Sequence, residues 1–281
     1  MNLQPAKKHE SVTILLVPYD GYSAFPRAVD SILRETRLPF ELIIVEGGAP
    51  ETIRCDLEKR KERRKNIKII YSNHRPRLAE AFNLGLPHIR TAKAFLMHNN
   101  LTATPQWLET LTQHAVDRPG VICPFVPSEC GEHPKEPFDR DMHGFLITRE
   151  TLTHLGRFDE KVASPLLGLD LAHWLQKQGV SIHRDPYTVL HNTVQKRPKP
   201  YDLKMLQRQW DEKQLRESIT YLSEKWGVKL QESKYLSWLQ DKKRPQQKSR
   251  AQRALVWQEL PMHHKFPKLS LQKFLQALTR V

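Results

Sequence analysis

An apolar run, Ala94-Phe95-Leu96-Met97, ends in His98-Asn99-Asn100, and a loop then leads to Pro105 and a helix opening at Gln106-Trp107-Leu108-Glu109. Polar side chains delivered by a strand into a loop are where α/β proteins hold their chemistry. The chemistry this triplet suggests is weak coordination of a divalent cation, since an asparagine carbonyl oxygen and a neutral imidazole can both ligate a metal. None of the three brings negative charge, so Mg2+ would be held less firmly than by carboxylates. Plain structural uses compete with this reading, because asparagine forms turns and a strand-end histidine can bond to backbone. Cys55, Cys123 and Cys130 form no Cys-x-x-Cys pair. Reduced thiols, rather than a zinc knuckle, are the expectation.

These residues need a scaffold, and the surrounding pattern supplies one. Ser11 to Val17 is a continuous apolar and β-branched run stopped by Pro18, as in a strand buried on both faces. Ser23 to Glu35 places Phe25, Val29, Ile32 and Leu33 at helical spacing, and Phe40 to Val45 is a second strand closed by Gly47-Gly48. A charged helix over about 51–64, a strand at 67–71, a helix at 77–89, the strand at 94–97, a helix at 105–115 and a strand at 121–125 follow. Such alternation predicts a mostly parallel sheet flanked by helices. Residues 126–141, rich in Pro, Glu and Asp, read as a mobile loop. Beyond it come a strand at 144–147, a short helix at 150–155, a turn at 156–159, a helix at 169–178 capped by Gly179, and short strands at 180–183 and 188–191. Over 201–226, Leu203, Leu206, Trp210, Leu215, Ile219, Leu222 and Trp226 recur at helical steps. Residues 242–250 read as a solvated linker and 269–278 as a short amphipathic helix.

Charge divides the chain. Of the net +14, residues 1–194 carry almost nothing, with 25 Lys/Arg against 23 Asp/Glu, whereas residues 195–281 hold 20 against 8. The expected organisation is a balanced domain over 1–194 and a basic helical extension over 195–281. With 39% hydrophobic and 27% charged residues, a packed core is expected and global disorder is excluded. No apolar run reaches the roughly 18–20 residues needed to span a bilayer. The opening MNLQPAKKHES lacks the apolar core of a signal peptide, so a cytoplasmic protein is expected, its basic tail at the inner face of the membrane. The run KRKERRK at 59–65 reads as an exposed helix end.

Six segments in order resemble glycosyltransferase family 2, the GT-A-fold group that uses nucleotide-diphospho-sugars, over about residues 11–192. They are SVTILLVPYD, FELIIVEGGAPET, NHRPRLAEAFNLGL, AFLMHNNLTATPQWLE, GFLITRETLTHLGRFDE and LDLAHWLQKQG with the later VLHN. The resemblance implies a GT-A, Rossmann-like sheet with flanking helices and assigns places to residues. The Pro18-Tyr19-Asp20 turn would flank the nucleotide base, and Glu46 would meet the base or ribose. Arg75 and Arg77 would face the diphosphate, and Asn83 stands in the Asn-x-Gly of the same donor region. His98-Asn99-Asn100 falls on the Asp-x-Asp metal motif, and His191 falls where a histidine can complete the metal site.

The chain departs from the pattern at three points. Asn100 replaces the terminal aspartate of the metal motif. Aligning Asp170-Leu171 with the Asp-Leu of the family puts Leu167-Gly168 on the Glu-Asp pair, so a glycine stands where the acceptor base belongs. Gly47 stands where an acid or asparagine commonly precedes the glycine. The remaining base candidates are Asp170, Asp159 and the loop acids Glu136, Asp139 and Asp141. The implied cofactor is Mg2+ or Mn2+, weakened by the altered triplet, with metal-independent action through Arg75 and Arg77 as the other route.

Three functions follow. The first is inverting transfer of a sugar from a nucleotide-diphospho-sugar to a glycan or lipid-linked acceptor. The second is a catalytically impaired relative that binds a nucleotide, a sugar or a protein partner. The third is nucleic-acid binding by the tail, which lacks zinc spacing and an aromatic sheet signature. The apolar face of the last helix, with Leu269, Leu271, Phe274, Leu275 and Leu278, suits peripheral contact with an anionic membrane better.

Overall fold

Strand β1 (Val12–Val17) is buried along its whole length because its alternate side chains feed two different cores. Leu15 and Val17 join Ile43, Val45 and Leu96 on one face, while Ile14 and Leu16 join Leu42, Ile44 and Met97 on the other. This arrangement comes from a computed structural model that describes residues 11–19, 21–116, 118–127, 144–192, 199–233 and 235–236. Asp20, Cys130, Glu136, Asp139, Asp141, nearly all of the expected 126–141 loop, the 242–250 linker and the 269–278 helix lie outside the described residues. All described residues belong to one compact unit, Met1–Leu239.

The elements run β1, α1 (Phe25–Glu35), β2 (Phe40–Glu46), α2 (Glu51–Arg63), β3 (Ile67–Tyr71), α3 (Leu78–Gly85), β4 (Lys93–His98), β5 (Leu101–Ala103), α4 (Trp107–His114) and β6 (Val121–Phe125). Then follow β7 (Gly144–Thr148), α5 (Arg149–Leu155), α6 (Leu167–Lys177), β8 (Ile182–Asn192), α7 (Pro200–Gln209) and α8 (Glu212–Trp226). One sheet has the order β3-β2-β1-β4-β7-β6-β8-β5. The first four strands in that order pair in parallel, as the alternation predicts. Strand β7 runs antiparallel to both β4 and β6, β8 pairs in parallel with β6, and β5 pairs antiparallel with β8.

Helices α1, α2 and α4 cover one face through Phe25, Val29, Ile32, Leu57, Trp107 and Leu111. The other face is covered by α3, α5, α6 and α8 through Phe82, Leu152, Leu171, Leu175, Leu215, Ile219 and Leu222. Helix α2 contributes only Ile53 and Leu57 to the core, and its basic last turn stays at the surface as expected. The periodic segment 201–226 is two helices, because Asp211 stops the first and caps the second by accepting the Gln214 amide at 2.8 Å. The two short strands expected at 180–183 and 188–191 are one strand with a bulge. The bulge is held by buried Asp185, which accepts the Thr188 hydroxyl and lies 2.9 Å from His114 Nδ1.

Candidate functional site

Parallel strands β1, β2 and β4 end side by side, so Pro18-Tyr19, Glu46-Gly47 and His98-Asn99-Asn100 share one sheet edge. His98 is fully buried and its ring stacks on that of Tyr19, with centroids 4.6 Å apart. Asn99 is committed to the turn after β1. Its Oδ1 accepts the Tyr19 amide at 3.0 Å, and its Nδ2 donates to the Gly21 carbonyl at 2.6 Å. Asn100 is buried as well. His98 and Asn99 therefore anchor the turn after β1.

Glu46 is fully buried at the end of β2. Its Oε1 accepts the Ala49 amide at 2.7 Å, and Oε2 forms an ion pair with the half-exposed Arg54 at 3.4 Å but accepts no hydrogen bond. Tyr22 donates its hydroxyl to the Gly47 carbonyl, tying the turn after β1 to the end of β2. Burial raises the Tyr22 phenol above its ordinary range; Arg75 and Arg208 oppose that rise, and Glu46 and Asp202 add to it. Gly47 has a packing reason, because a Cβ there would lie 2.2 Å from the His74 carbonyl oxygen. The loop 74–76 thus folds onto Gly47-Gly48 and brings in the two arginines. Arg75 Nε donates to the Gly48 carbonyl at 3.3 Å. Arg77 opens α3, and its Nε is buried without a hydrogen-bond acceptor.

Asn83 stands apart from this edge in its bonding. Its Oδ1 accepts the Phe158 amide at 2.8 Å, and its Nδ2 donates to the Phe158 carbonyl at 2.9 Å and to Glu160 at 2.8 Å. It brackets the turn before α6, beside a cavity of about 380 Å3 that also touches Glu80, Arg157 and Glu160. His191 is exposed on β8, opposite Thr102 of β5.

Asp159 and Asp170 are brought together, and what joins them is a cation. Lys225 of α8 places its ammonium 2.8 Å from Asp159 Oδ2 and 2.8 Å from Asp170 Oδ1. The Tyr221 hydroxyl also donates to Asp159 at 2.7 Å, and Trp226 Nε1 donates to Asp170 at 2.8 Å. Burial alone would raise the Asp159 carboxyl, but the bonds from Lys225 and Tyr221 outweigh it and hold the pKa below the ordinary value. Burial would likewise lower Lys225, and its two carboxylate partners hold it above the ordinary lysine value instead.

Four participants escaped the sequence reading: Tyr22, Asp202, Tyr221 and Lys225. Asp202 accepts amide and hydroxyl hydrogens of Tyr22 and Ser23 from 180 residues away. A bond across that separation leaves no local spacing to detect. The signal that could have pointed to Asp202 is Pro200 with an acid two residues later, a pattern typical of a helix start.

A divalent cation would find few ligands at this strand edge. His98 is enclosed against Tyr19, both ends of the Asn99 amide are used, and no carboxylate stands in the triplet. Among the described residues no group of three His, Cys, Asp or Glu gathers to hold a metal. These residues do not fit a carboxylate-held Mg2+ or Mn2+.

Comparison with curated protein sequences finds no match. Among solved structures, the mannosyltransferase PcManGT from Pyrobaculum calidifontis in complex with GDP-Man and Mn2+ is similar, with a TM-score of 0.55 at 15% identity, over 90% of this chain and 80% of that one. GalNAc-T7 with UDP, GalNAc and Mn2+ is similar with a TM-score of 0.55 at 15% identity, over 83% of this chain and 55% of that one. Identity that low speaks for the GT-A fold alone. The sequence itself matches "Glycosyl transferase family 2" over residues 13–166, which includes β1 to β4, the HNN triplet and the start of the turn into α6. With more than half its length matched, the chain belongs to glycosyltransferase family 2.

Proposed function

We propose that the protein binds a nucleotide-diphospho-sugar at the edge formed by β1, β2 and β4 and transfers the sugar to a glycan or lipid-linked acceptor. One observation carries the reading. Two buried groups near this edge lack hydrogen-bond partners of opposite kind, an acceptor at Glu46 Oε2 and a donor at Arg77 Nε. Buried polar atoms left so are costly and call for a partner. A ribose hydroxyl or base N–H suits Glu46 once the half-exposed Arg54 side chain swings aside. A phosphate oxygen suits Arg77. Arg75 and Arg77 then take over charge that a metal would neutralise, and Pro18 with Tyr19 flanks the base.

In this reading the acceptor attacks the anomeric carbon in a single displacement, with inversion. Asp159 or Asp170 accepts its proton only after Lys225 releases that carboxylate, since a carboxylate held by an ammonium is a weak base. That condition also favours a second reading, in which the chain binds the donor without turning it over. The two are separated by incubating the protein with GDP-mannose and UDP-GalNAc, with and without Mn2+, and measuring nucleoside diphosphate release. Release that falls at least tenfold in Glu46→Ala supports transfer; nucleotide binding without release supports the second reading. Absence of nucleotide binding by calorimetry defeats both.

The basic region 195–281 is proposed to contact an anionic membrane, where lipid-linked acceptors lie. No helix among the described residues is long and apolar enough to cross a membrane. Co-sedimentation that is equal on anionic and neutral vesicles counts against the contact.

A further inference from the structure

The turn after β1 is held by three elements. Asn99 fixes Tyr19 and Gly21 from the end of β4, and the Tyr22 hydroxyl reaches Gly47 at the end of β2. The third hold comes from α7, beyond the family-matched residues 13–166. Asp202 is fully buried there. Its Oδ1 accepts the Tyr22 amide at 2.6 Å and the Ser23 amide at 3.2 Å, and its Oδ2 accepts the Ser23 hydroxyl at 2.5 Å and the Lys199 amide at 3.2 Å. Contact is close enough that a Cβ on Gly21 would lie 2.6 Å from Asp202 Oδ1.

The chemistry of this hold is specific. Tyr22 and Ser23 lie just before α1, where chain amides have no helical acceptor, and the carboxylate supplies one from a distant element. Removing it leaves buried amide donors that must move to find water. Movement of Tyr22 would carry its hydroxyl away from Gly47, the residue next to Glu46. The turn and the Glu46 end of β2 are therefore coupled through one side chain, and α7 sets its position.

We propose that Asp202 is a positioning residue for nucleotide binding, through which helix α7 latches the β1 turn and so presents Tyr19, Tyr22 and Glu46 as one fixed donor edge. The proposal rests on the donor reading above. It makes a segment outside the matched domain part of the donor site.

The test uses full-length protein, with UDP and GDP as probes by calorimetry and amide hydrogen exchange at Tyr22 and Ser23. In Asp202→Ala both amides should exchange at least tenfold faster, and the Kd of the bound nucleotide should rise at least tenfold. Asp202→Asn keeps one acceptor and should fall between; it also carries the comparison if Asp202→Ala does not fold. Met205→Ala, on the same buried face of α7 and part of the apolar core, should lower thermal stability and leave the Kd within about twofold. Wild-type affinity in a folded Asp202→Ala, or an equal loss in Met205→Ala, overturns the positioning role. Unchanged exchange at Tyr22 and Ser23 overturns the latch itself. Wild-type protein that binds neither nucleotide overturns the donor reading and the positioning role together, and exchange rates distinguish that failure from failure of the latch.

Discussion

Asn99 is the residue whose meaning the structure sharpens most. It is the middle residue of the triplet on the metal motif, expected to face the nucleotide-sugar beside the candidate ligands His98 and Asn100, and both ends of its amide serve the neighbouring turn. Asn99→Ala should strand the Tyr19 amide and the Gly21 carbonyl in a buried place, costing about 2 kcal/mol. Urea unfolding would show this as a lower midpoint at an unchanged m-value. A midpoint like that of the wild type would mean the turn finds other partners. At this scale the sequence was readable in type rather than in use. Asparagine at a strand end was legible as a turn former, and the lack of a carboxylate was plain. That the turn it forms belongs to β1, eighty residues earlier, was not, because nothing near Asn99 marks the residues that lie across the sheet.

Among elements, α8 decides the state of two carboxylates on which the sequence reading rested. Lys225 lies between Asp159 and Asp170, so α8 joins the turn before α6 to α6 itself. Asp159 has a depressed folded pKa, so its contribution is present above the unfolded value near pH 4 and is lost as pH falls through the folded value. Lys225 has a raised folded pKa, so its contribution is present below an unfolded value of about 10.4 and is lost as pH rises through the folded value. Stability from this cluster should be flat between roughly pH 4 and 10. Lys225→Met leaves two neighbouring carboxylates without their cation, which should cost about 2 kcal/mol at neutral pH. It should also flatten the acid limb, because the Lys225 bond that lowers the Asp159 carboxyl is gone, so stability falls less steeply than in the wild type as pH drops from about 5 toward 2. Thermal melts across that range decide the matter, and parallel curves for variant and wild type would exclude the coupling. The elements were largely legible: alternating strands and helices followed from periodicity. The break at Asp211 was hidden, because apolar spacing runs through it from Leu206 to Trp210 and Leu215. So was the direction of β7, which no pattern within a single strand specifies.

At the scale of the whole molecule, the division of charge and the division of the core fall in different places. Lys/Arg excess begins after residue 194, yet Met205, Trp210, Leu215, Ile219 and Leu222 are all buried against the sheet and its helices. Ser218 accepts the Ala163 amide at 2.8 Å in the same contact. The excess does not come from α7 and α8, which hold five Lys/Arg against four Asp/Glu, but from the residues outside the two helices; the buried faces of α7 and α8 answer to the domain that the charge count seemed to end. Each buried apolar side chain contributes roughly 1.5–3 kcal/mol, so removing these five forfeits on the order of 10 kcal/mol. That is comparable to the roughly 5–15 kcal/mol by which domains are stable at all. A chain ending at residue 198 should therefore lack a cooperative thermal transition and expose apolar surface. One ending at 236 should keep α7, α8 and the transition. Circular dichroism melts of the two truncations test this directly. If the shorter chain melts cooperatively within a few degrees of the full-length protein, α7 and α8 are an appendage to an autonomous 1–194 domain, and the latch at Asp202 cannot be what holds the donor edge in shape.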